Sequence, residues 1–280
     1  MNKQIVVWDL FGGGQNSVYQ SLRENPLFDV WTFDITEPTR EQHIKQDLTV
    51  DNIIEVLGQY PKPDIIVASP LCQSFSQVLQ MKGGGTCFWK KENGVLVERT
   101  VAEFETLKSG FTKHLKADKQ LEIKRLGEKC INNTLAIIEH FKPQFWYIEN
   151  PANSLMWYYI EHNKADWIAA NGPVFKNKTY YNNYGFSIQK ATIFLSNIDL
   201  HLKYEKINYS YEKEVINNVV YYKVDGIKQS RAGLLKTLNK QFANTSKTTK
   251  DNKEADSRSA IPHDLIKDIF KNFIKKIQNK

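Results

Sequence analysis

The sequence predicts an α/β fold: a mostly parallel sheet with helices on both faces. Three observations carry this reading. Short apolar runs alternate with helical stretches through the first half of the chain, which is the rhythm of strand–helix–strand units. Each apolar run gives way at once to polar, reactive or turn-forming residues, as expected at the carboxyl edge of a parallel sheet, where ligands bind. The 280 residues are 41% hydrophobic and 12% aromatic, which suits one large core-forming domain or one domain with a small satellite.

Taken in order, residues 5–8 (Ile-Val-Val-Trp) read as a buried strand and residues 17–24 as a short helix after a glycine turn. Residues 30–33 are a second strand, 51–58 a helix, and 64–68, with Ile65-Ile66-Val67, a third strand. A long excursion comes next, at 73–129. It holds Gly83-Gly84-Gly85, the kind of hinge a mobile lid needs, and a charged helical stretch from Val101. Residues 130–140 form a helix with Ile131, Leu135, Ile137 and Ile138 apolar, and 145–148 a fourth strand. After Ile193-Phe194-Leu195 the pattern weakens. Residues 198–257 are polar, with a hairpin-like stretch at 219–224 and a loose one at 245–258, and read as a small lobe. Residues 262–278 close the chain as a helix whose Leu265, Ile266, Ile269, Phe270, Phe273 and Ile274 make one apolar face, so it docks on the core.

Charge narrows the partners. The net charge is +7, from 38 Lys+Arg against 31 Asp+Glu. Residues 228–280 hold 13 Lys+Arg against 5 Asp+Glu, while residues 1–227 hold 25 against 26. Such asymmetry points to a polyanion, usually nucleic acid, or to a solvated Lys-rich tail. The three cysteines, at 72, 87 and 130, form no C-x-x-C pair, so neither a disulfide framework nor a metal site is expected. No apolar stretch reaches the length of about 18 residues that a membrane span needs. With no apolar signal region at Met1-Asn2-Lys3, the expected location is the cytoplasm, in association with the nucleoid.

Chemistry is expected at the strand ends. Gly12-Gly13-Gly14 can aim backbone N–H groups at an anionic or polar ligand, although Gln15 and Ser17 leave the dinucleotide fingerprint incomplete. Asp34 after the second strand can bind ribose hydroxyls, and Asp47 can accept from an adenine amino group; both can equally be turn acids. Cys72, after Ser69-Pro70-Leu71, is either a nucleophile facing a cleft or an inert small apolar residue. A helix N-terminus or a cation beside it would lower its pKa. Glu149, ending a second apolar strand, supplies an acid to pair with it.

These residues carry a resemblance. Asp9-Leu10-Phe11-Gly12-Gly13, then Ser69-Pro70-Leu71-Cys72-Gln73-Ser74-Phe75-Ser76, then Ile148-Glu149-Asn150-Pro151 resemble, in that order, the DNA cytosine-5 methyltransferase family, above all its short bacteriophage and mobile-element forms. Tyr184-Gly185-Phe186-Ser187-Ile188-Gln189-Lys190-Ala191-Thr192-Ile193 resembles the eighth motif, and Arg258-Ser259-Ala260-Ile261-Pro262-His263-Asp264-Leu265 the final one. The match covers residues 4–197 and 258–280. It implies a Rossmann-like S-adenosylmethionine-dependent methyltransferase fold with a small target-recognition lobe. In that plan 1–197 bind cofactor and catalyse, 198–257 recognise the target, and 258–280 return as a helix to the catalytic domain.

The resemblance also implies roles. S-adenosyl-L-methionine would be the cofactor, in a pocket of Asp9, Phe11, Gly12, Gly13, Gly14 and Pro70, with Asp34 on the ribose, Asp47 at the adenine and Ser259 near the methionine part. Cys72 would attack carbon 6 of a flipped-out cytosine in double-stranded DNA, and Glu149 would hold and protonate ring nitrogen 3. Lys190 and Thr192 stand nearest the Gln and two Arg of the family's eighth motif, with Gln189 displaced by one, and are expected at the catalytic centre. Gln73, Ser76 and Lys82, and in the lobe Tyr221-Tyr222-Lys223, Arg231, Lys236 and Lys240, would contact DNA. Phe88, Trp89, Lys90 and Lys91 would enter the groove and fill the vacated stack. The chain departs from the family at Gln15, Leu71, Pro151 and Ser259, where Gly, Pro, Val and Asn are usual, and is read as a divergent active enzyme. It is expected to act as a monomer; a cognate restriction endonuclease is a partner the resemblance allows, and no residue here points to one. Three rivals remain: the same chemistry on tRNA cytosine, a non-catalytic DNA-binding subunit or half of a split methyltransferase, and a Rossmann-type oxidoreductase.

Overall fold

Apolar residues at the strand positions face two ways, and the two faces recruit different helices. The structure is a computed structural model that describes residues 3–13, 15–76, 88–108, 113–186, 190–206, 212–217, 219–224, 227–229 and 260–278. In Ile5–Leu10 (β1), Val7 joins the core beneath Ser17–Leu22 (α1) and His263–Gln278 (α7). Trp8 and Leu10 point to the opposite core, with Ile53–Leu57 (α2) and Ala117–Phe141 (α4). This alternation is the period of two of any strand, here buried on both sides. In α7, Leu265, Ile266, Ile269, Phe270 and Phe273 are buried against the sheet side that α1 also covers.

Seven strands make the main sheet. With β1 stand Phe28–Asp34 (β2), His43–Lys45 (β3), Ile65–Ala68 (β4), Phe145–Pro151 (β7), Phe175–Tyr180 (β8) and Ala191–Ser196 (β9), in the order β3-β2-β1-β4-β7-β9-β8. The β2–β3, β1–β2, β1–β4 and β4–β7 pairs are parallel, and β9 runs antiparallel to both neighbours. The architecture is a Rossmann-like α/β fold. Parallel pairing brings the residues after Leu10, Asp34 and Ala68, and the end of β7 at Glu149-Asn150-Pro151, to one edge of the sheet.

The excursion between β4 and β7 differs from the expectation. Lys82 and Gly83-Gly84-Gly85 lie outside the described residues. The described residues after the triplet, 88–108 and 113–129, are built of packed elements. Trp89–Glu92 (β5) and Val95–Glu98 (β6) form a hairpin that leads into Val101–Leu107 (α3), with Thr100 and Glu103 making a capping box. Phe88 and Trp89, expected to reach into a nucleic-acid groove, are each 1% exposed. Phe88 stacks on Phe104 and Trp89 on Phe75, so burial of apolar area wins over display. Lys90 pairs with Glu92 and Glu103 at 3.0 and 2.7 Å.

α4 is also longer than its apolar stretch. Its first half is polar, and its buried position at Lys124 is a cation held by Glu98 at 3.2 Å, Glu128 at 2.6 Å and the Trp89 ring at 4.2 Å. Beyond β7 the chain turns through Met156–Tyr158 (α5) and Ala165–Asn171 (α6) before β8. The expected hairpin is the middle of a three-stranded antiparallel sheet: Glu212–Ile216 (β10), Val219–Val224 (β11) and Ile227–Gln229 (β12). Val215, Val219 and Val220 of this sheet are exposed. Among the described residues no helix is long and apolar enough to cross a membrane.

Candidate active site

The turn after β1 is closed inward. Phe11 and Gly13 both take φ of 62°, and Gly13 tolerates this without strain because it has no Cβ. The Gly13 N–H donates to Asp34 Oδ2 at 3.0 Å, and Thr36 N–H donates to Asp34 Oδ1 at 2.9 Å. Asp34 therefore accepts from its own loop at Oδ1 and from the turn after β1 at Oδ2. Gly12 is required by close approach: a Cβ there would lie 2.5 Å from Asp9 Oδ2 and 2.7 Å from Thr32 Cγ2. Asp9 sits beneath this turn, 3% exposed, and its Oδ2 has no hydrogen-bond partner among the described residues. Burial, and then the charge of Asp34, raise its carboxyl to about 7, while the Arg40 guanidinium opposes the rise. Arg40 lies 3.9 Å from the centre of the Tyr19 ring and donates to Thr32 Oγ1 at 2.8 Å. A Cβ on Gly13 would meet nothing within 4 Å, so the outer side of the turn is open, with Phe11 half-buried beside it. Asp47 is exposed and accepts from the Thr49 N–H and hydroxyl at 2.8 and 2.6 Å.

The turn after β4 is held from below. Ser69 N–H donates to Leu10 O at 3.1 Å, and Asn150 Nδ2 donates to the carbonyl of buried Pro70 at 3.0 Å, tying this turn to the end of β7. Cys72 opens a single tight turn, Gln73–Phe75. Phe75 is anchored by its stack on Trp89 and by Leu155 N–H to its carbonyl at 2.9 Å. Gly127 of α4 lets the helix touch the turn, since a Cβ there would fall 1.7 Å from Ser74 Oγ. The inner side is thus fully packed, while Cys72 and Gln73 are exposed and Ser76 half-buried. The thiol of Cys72 is not lowered as a helix N-terminus would lower it, because a three-residue turn aligns too few peptide dipoles. Desolvation by the surrounding walls, and then the charge of Glu149, push it up; Lys190 pulls the other way.

Glu149 completes the group. Near the end of β7 and 6% exposed, it accepts at Oε1 from the Tyr181 hydroxyl at 2.8 Å, and the Lys190 ammonium stands 3.7 Å from the same oxygen. Lys190 also lies 4.6 Å from the centre of the Tyr181 ring. The Tyr181 N–H donates to the Lys190 carbonyl at 3.0 Å, closing the base of the loop that carries both side chains. Thr192 is fully buried beside Tyr181. Cys72, Glu149 and Lys190 therefore form one electrostatic unit. Tyr181 has no mark in the sequence that sets it apart. It is one of 13 tyrosines, and its neighbour Tyr180 points the other way, stacking at the surface on Tyr204. Gly14, Gln189, Arg231, Lys236, Lys240 and Ser259 lie outside the described residues.

Neither a family model nor a curated protein matches the chain. Several solved structures resemble it. A candidate DNA modification methyltransferase encoded in an E. coli prophage is 16% identical, with 70% of this chain and 47% of that chain covered, at a TM-score of 0.42. The S. pombe Dnmt2 methyltransferase is 14% identical, with 72% and 53% covered, at 0.41. The Entamoeba histolytica methyltransferase EhMeth is 13% identical, with 75% and 59% covered, at 0.43. The chain spans about half the length of these structures, and at such scores the likenesses carry no weight for its chemistry. A cavity of about 680 Å³, lined by Arg23, Phe28, His263, Lys267 and Phe270 among others, lies between α1, α7 and the start of β2, away from Cys72. Cys72 and Glu149 stand at the carboxyl edge of the sheet, outside the lining of this groove.

Proposed function

We propose that the protein is a methyltransferase that uses S-adenosyl-L-methionine to methylate carbon 5 of cytosine in double-stranded DNA. One observation carries the reading: a solvent-facing thiol and a buried acid stand at the ends of neighbouring parallel strands, β4 and β7, close enough for the charge of the acid to act on the thiol. The motif order in the sequence supports the same reading.

The cofactor fits the turn after β1. The open outer side of Gly13, the half-buried Phe11 and the acids at the ends of β2 and β3 suit an adenosine-bearing ligand. Asp9 would act from beneath, by holding the turn through Gly12. When bound, the cofactor supplies an electrophilic methyl group.

The chain's own residues supply the rest. The Cys72 sulfur, having lost its proton, bonds to carbon 6 of the base. Glu149 gives a proton to ring nitrogen 3, and the displaced electrons make carbon 5 nucleophilic. Carbon 5 takes the methyl group; its proton then leaves to solvent, ring nitrogen 3 returns its proton to Glu149, and the bond from sulfur to carbon 6 breaks as the ring double bond returns. The charge of Glu149 is the second cause of the raised thiol. When the base binds, a proton taken up from solvent between Glu149 and ring nitrogen 3 neutralises that charge, while Lys190 remains. Thiolate formation is thereby coupled to base binding, which spares the exposed thiol from reaction in the empty site. The base must leave the stack to meet Cys72 and Glu149 together.

Methyl transfer from radiolabelled S-adenosyl-L-methionine to duplex DNA and to tRNA, run in parallel, tests the substrate. Transfer to DNA supports the proposal; transfer to tRNA alone replaces DNA with RNA as the target. A cognate restriction endonuclease stays a separate proposal, tested by restriction of unmethylated DNA in an expressing host.

A further inference from the structure

We propose that Tyr181 is the positioning residue that decides which oxygen of Glu149 meets the base. The inference rests on the reading of Glu149 as the acid of a cytosine methyltransferase. A donor and a charge converge on Oε1: the Tyr181 hydroxyl hydrogen-bonds to it at 2.8 Å, and the Lys190 ammonium forms an ion pair with it at 3.7 Å. Tyr181 occupies a lone pair of Oε1 and the Lys190 charge stands on the same side, which disfavours a proton there, so an arriving proton belongs on Oε2. That leaves Oε2 as the oxygen that donates to ring nitrogen 3. Tyr181 cannot reverse the arrangement by giving up its own proton, because burial and the charge of Glu149 hold the phenol well above its ordinary range.

The tyrosine is itself locked. Its N–H binds the Lys190 carbonyl, its carbonyl accepts from Phe186 N–H at 3.2 Å, and its ring meets Phe186 edge-on at 5.7 Å. It is fully buried, so it reaches neither base nor cofactor and acts only through Glu149. Thr192 lacks the positive charge usual at that position in the resembled family, and this phenol and ammonium together supply the missing constraint.

The test replaces Tyr181 by Phe, which keeps the ring and removes one oxygen. The control is Tyr184→Phe in the same loop, whose hydroxyl donates to Asp268 at 2.9 Å, away from Glu149. With duplex DNA and S-adenosyl-L-methionine, Tyr181→Phe is expected to lower kcat about 10- to 100-fold, the worth of a hydrogen bond to a charged group. The KM for DNA stays near that of the native chain, and the melting temperature falls by a few degrees, as a buried acceptor that loses its donor requires. Tyr184→Phe lowers the melting temperature and leaves kcat within about twofold. A kcat for Tyr181→Phe within twofold of native, or equal losses of kcat and DNA affinity, overturns the proposal. Carbon-13 NMR of the Glu149 carboxyl reads the hydrogen bond without turnover. Its resonance moves in Tyr181→Phe and not in Tyr184→Phe; an unmoved resonance overturns the proposal on its own. Absence of any methyl transfer by the native chain, with the resonance moved, instead sinks the reading of the reaction.

Discussion

Asp9 and Glu149 are both carboxylates at the carboxyl edge of the sheet, 3% and 6% exposed, yet their surroundings are opposite. Glu149 receives a hydroxyl and an ammonium at one oxygen. Asp9 has an unpartnered oxygen under Gly12, a second acid nearby, and only the more distant help of Arg40. Two acids of like burial thus differ in the donors and charges aimed at them. The β7 end holds its acid through a hydroxyl donor and a nearby ammonium at one oxygen. The β1 end stores an acid that ionises with difficulty, behind a turn whose outer side is open.

The largest effect expected from breaking this contrast is at Glu149. Glu149→Gln keeps the shape and removes the proton donor, so turnover falls about 10²- to 10⁴-fold, as for loss of a general acid. DNA affinity, measured by fluorescence anisotropy, stays within about twofold. Equal losses in both would make Glu149 structural.

Asp9 has its own signature in stability against pH. Its carboxyl is raised from 3.8 to about 7 in the folded chain. Between those values the unfolded chain has released the proton and the folded chain still holds it. Asp9's contribution is therefore fully present below the lower value and declines as pH rises through the upper one. The slope approaches about 1.4 kcal/mol per pH unit in between and levels above. Asp9→Asn should abolish this part of the slope in urea titrations and leave the variant the more stable chain at pH 8. Parallel pH curves for the two chains would contradict the assignment.

The smallest effects compare two glycines. Gly12→Ala presses a methyl into Asp9, and Gly127→Ala presses one into Ser74. Each should cost about 1–3 kcal/mol of stability, the range for overpacking. Their functional effects separate. Gly127→Ala disturbs the Cys72 turn and lowers turnover, whereas Gly12→Ala weakens binding of S-adenosylhomocysteine, read by calorimetry. Matching losses of turnover and ligand binding in both variants would mean that the two turns are not independent.

Much of this is legible in the sequence, for physical reasons. Central parallel strands are buried on both faces, so Ile65-Ile66-Val67 and Phe145-Trp146-Tyr147-Ile148 stand out as continuous apolar runs. Cys72 and Glu149 stand out with them, because a reactive side chain at the carboxyl end of such a run lands where ligands bind. β8 escapes because its inward residues, Asn177 and Thr179, are polar; Asn177 instead serves the edge through Phe194 O at 3.0 Å and Leu200 N–H at 2.7 Å. The first half of α4 falls in the stretch read as charged and helical from Val101, but its continuity with 130–140 escapes because a paired lysine stands at a buried position where an apolar residue would mark the face. Phe88 and Trp89 read as groove residues because a loop aromatic looks the same in sequence whether it is displayed or buried. Tyr181 leaves no signal, since its role depends on a hydrogen bond across 32 residues.

The central claim is that Cys72 attacks the base and Glu149 enables it. Duplex DNA carrying 5-fluorocytosine tests it most directly, because the fluorine at carbon 5 cannot leave as a proton and the sulfur stays attached. Incubated with S-adenosyl-L-methionine and resolved on a denaturing gel, the native chain should form a covalent protein–DNA adduct that Cys72→Ala does not form. No adduct with the native chain, or an undiminished adduct with Cys72→Ala, would contradict the account.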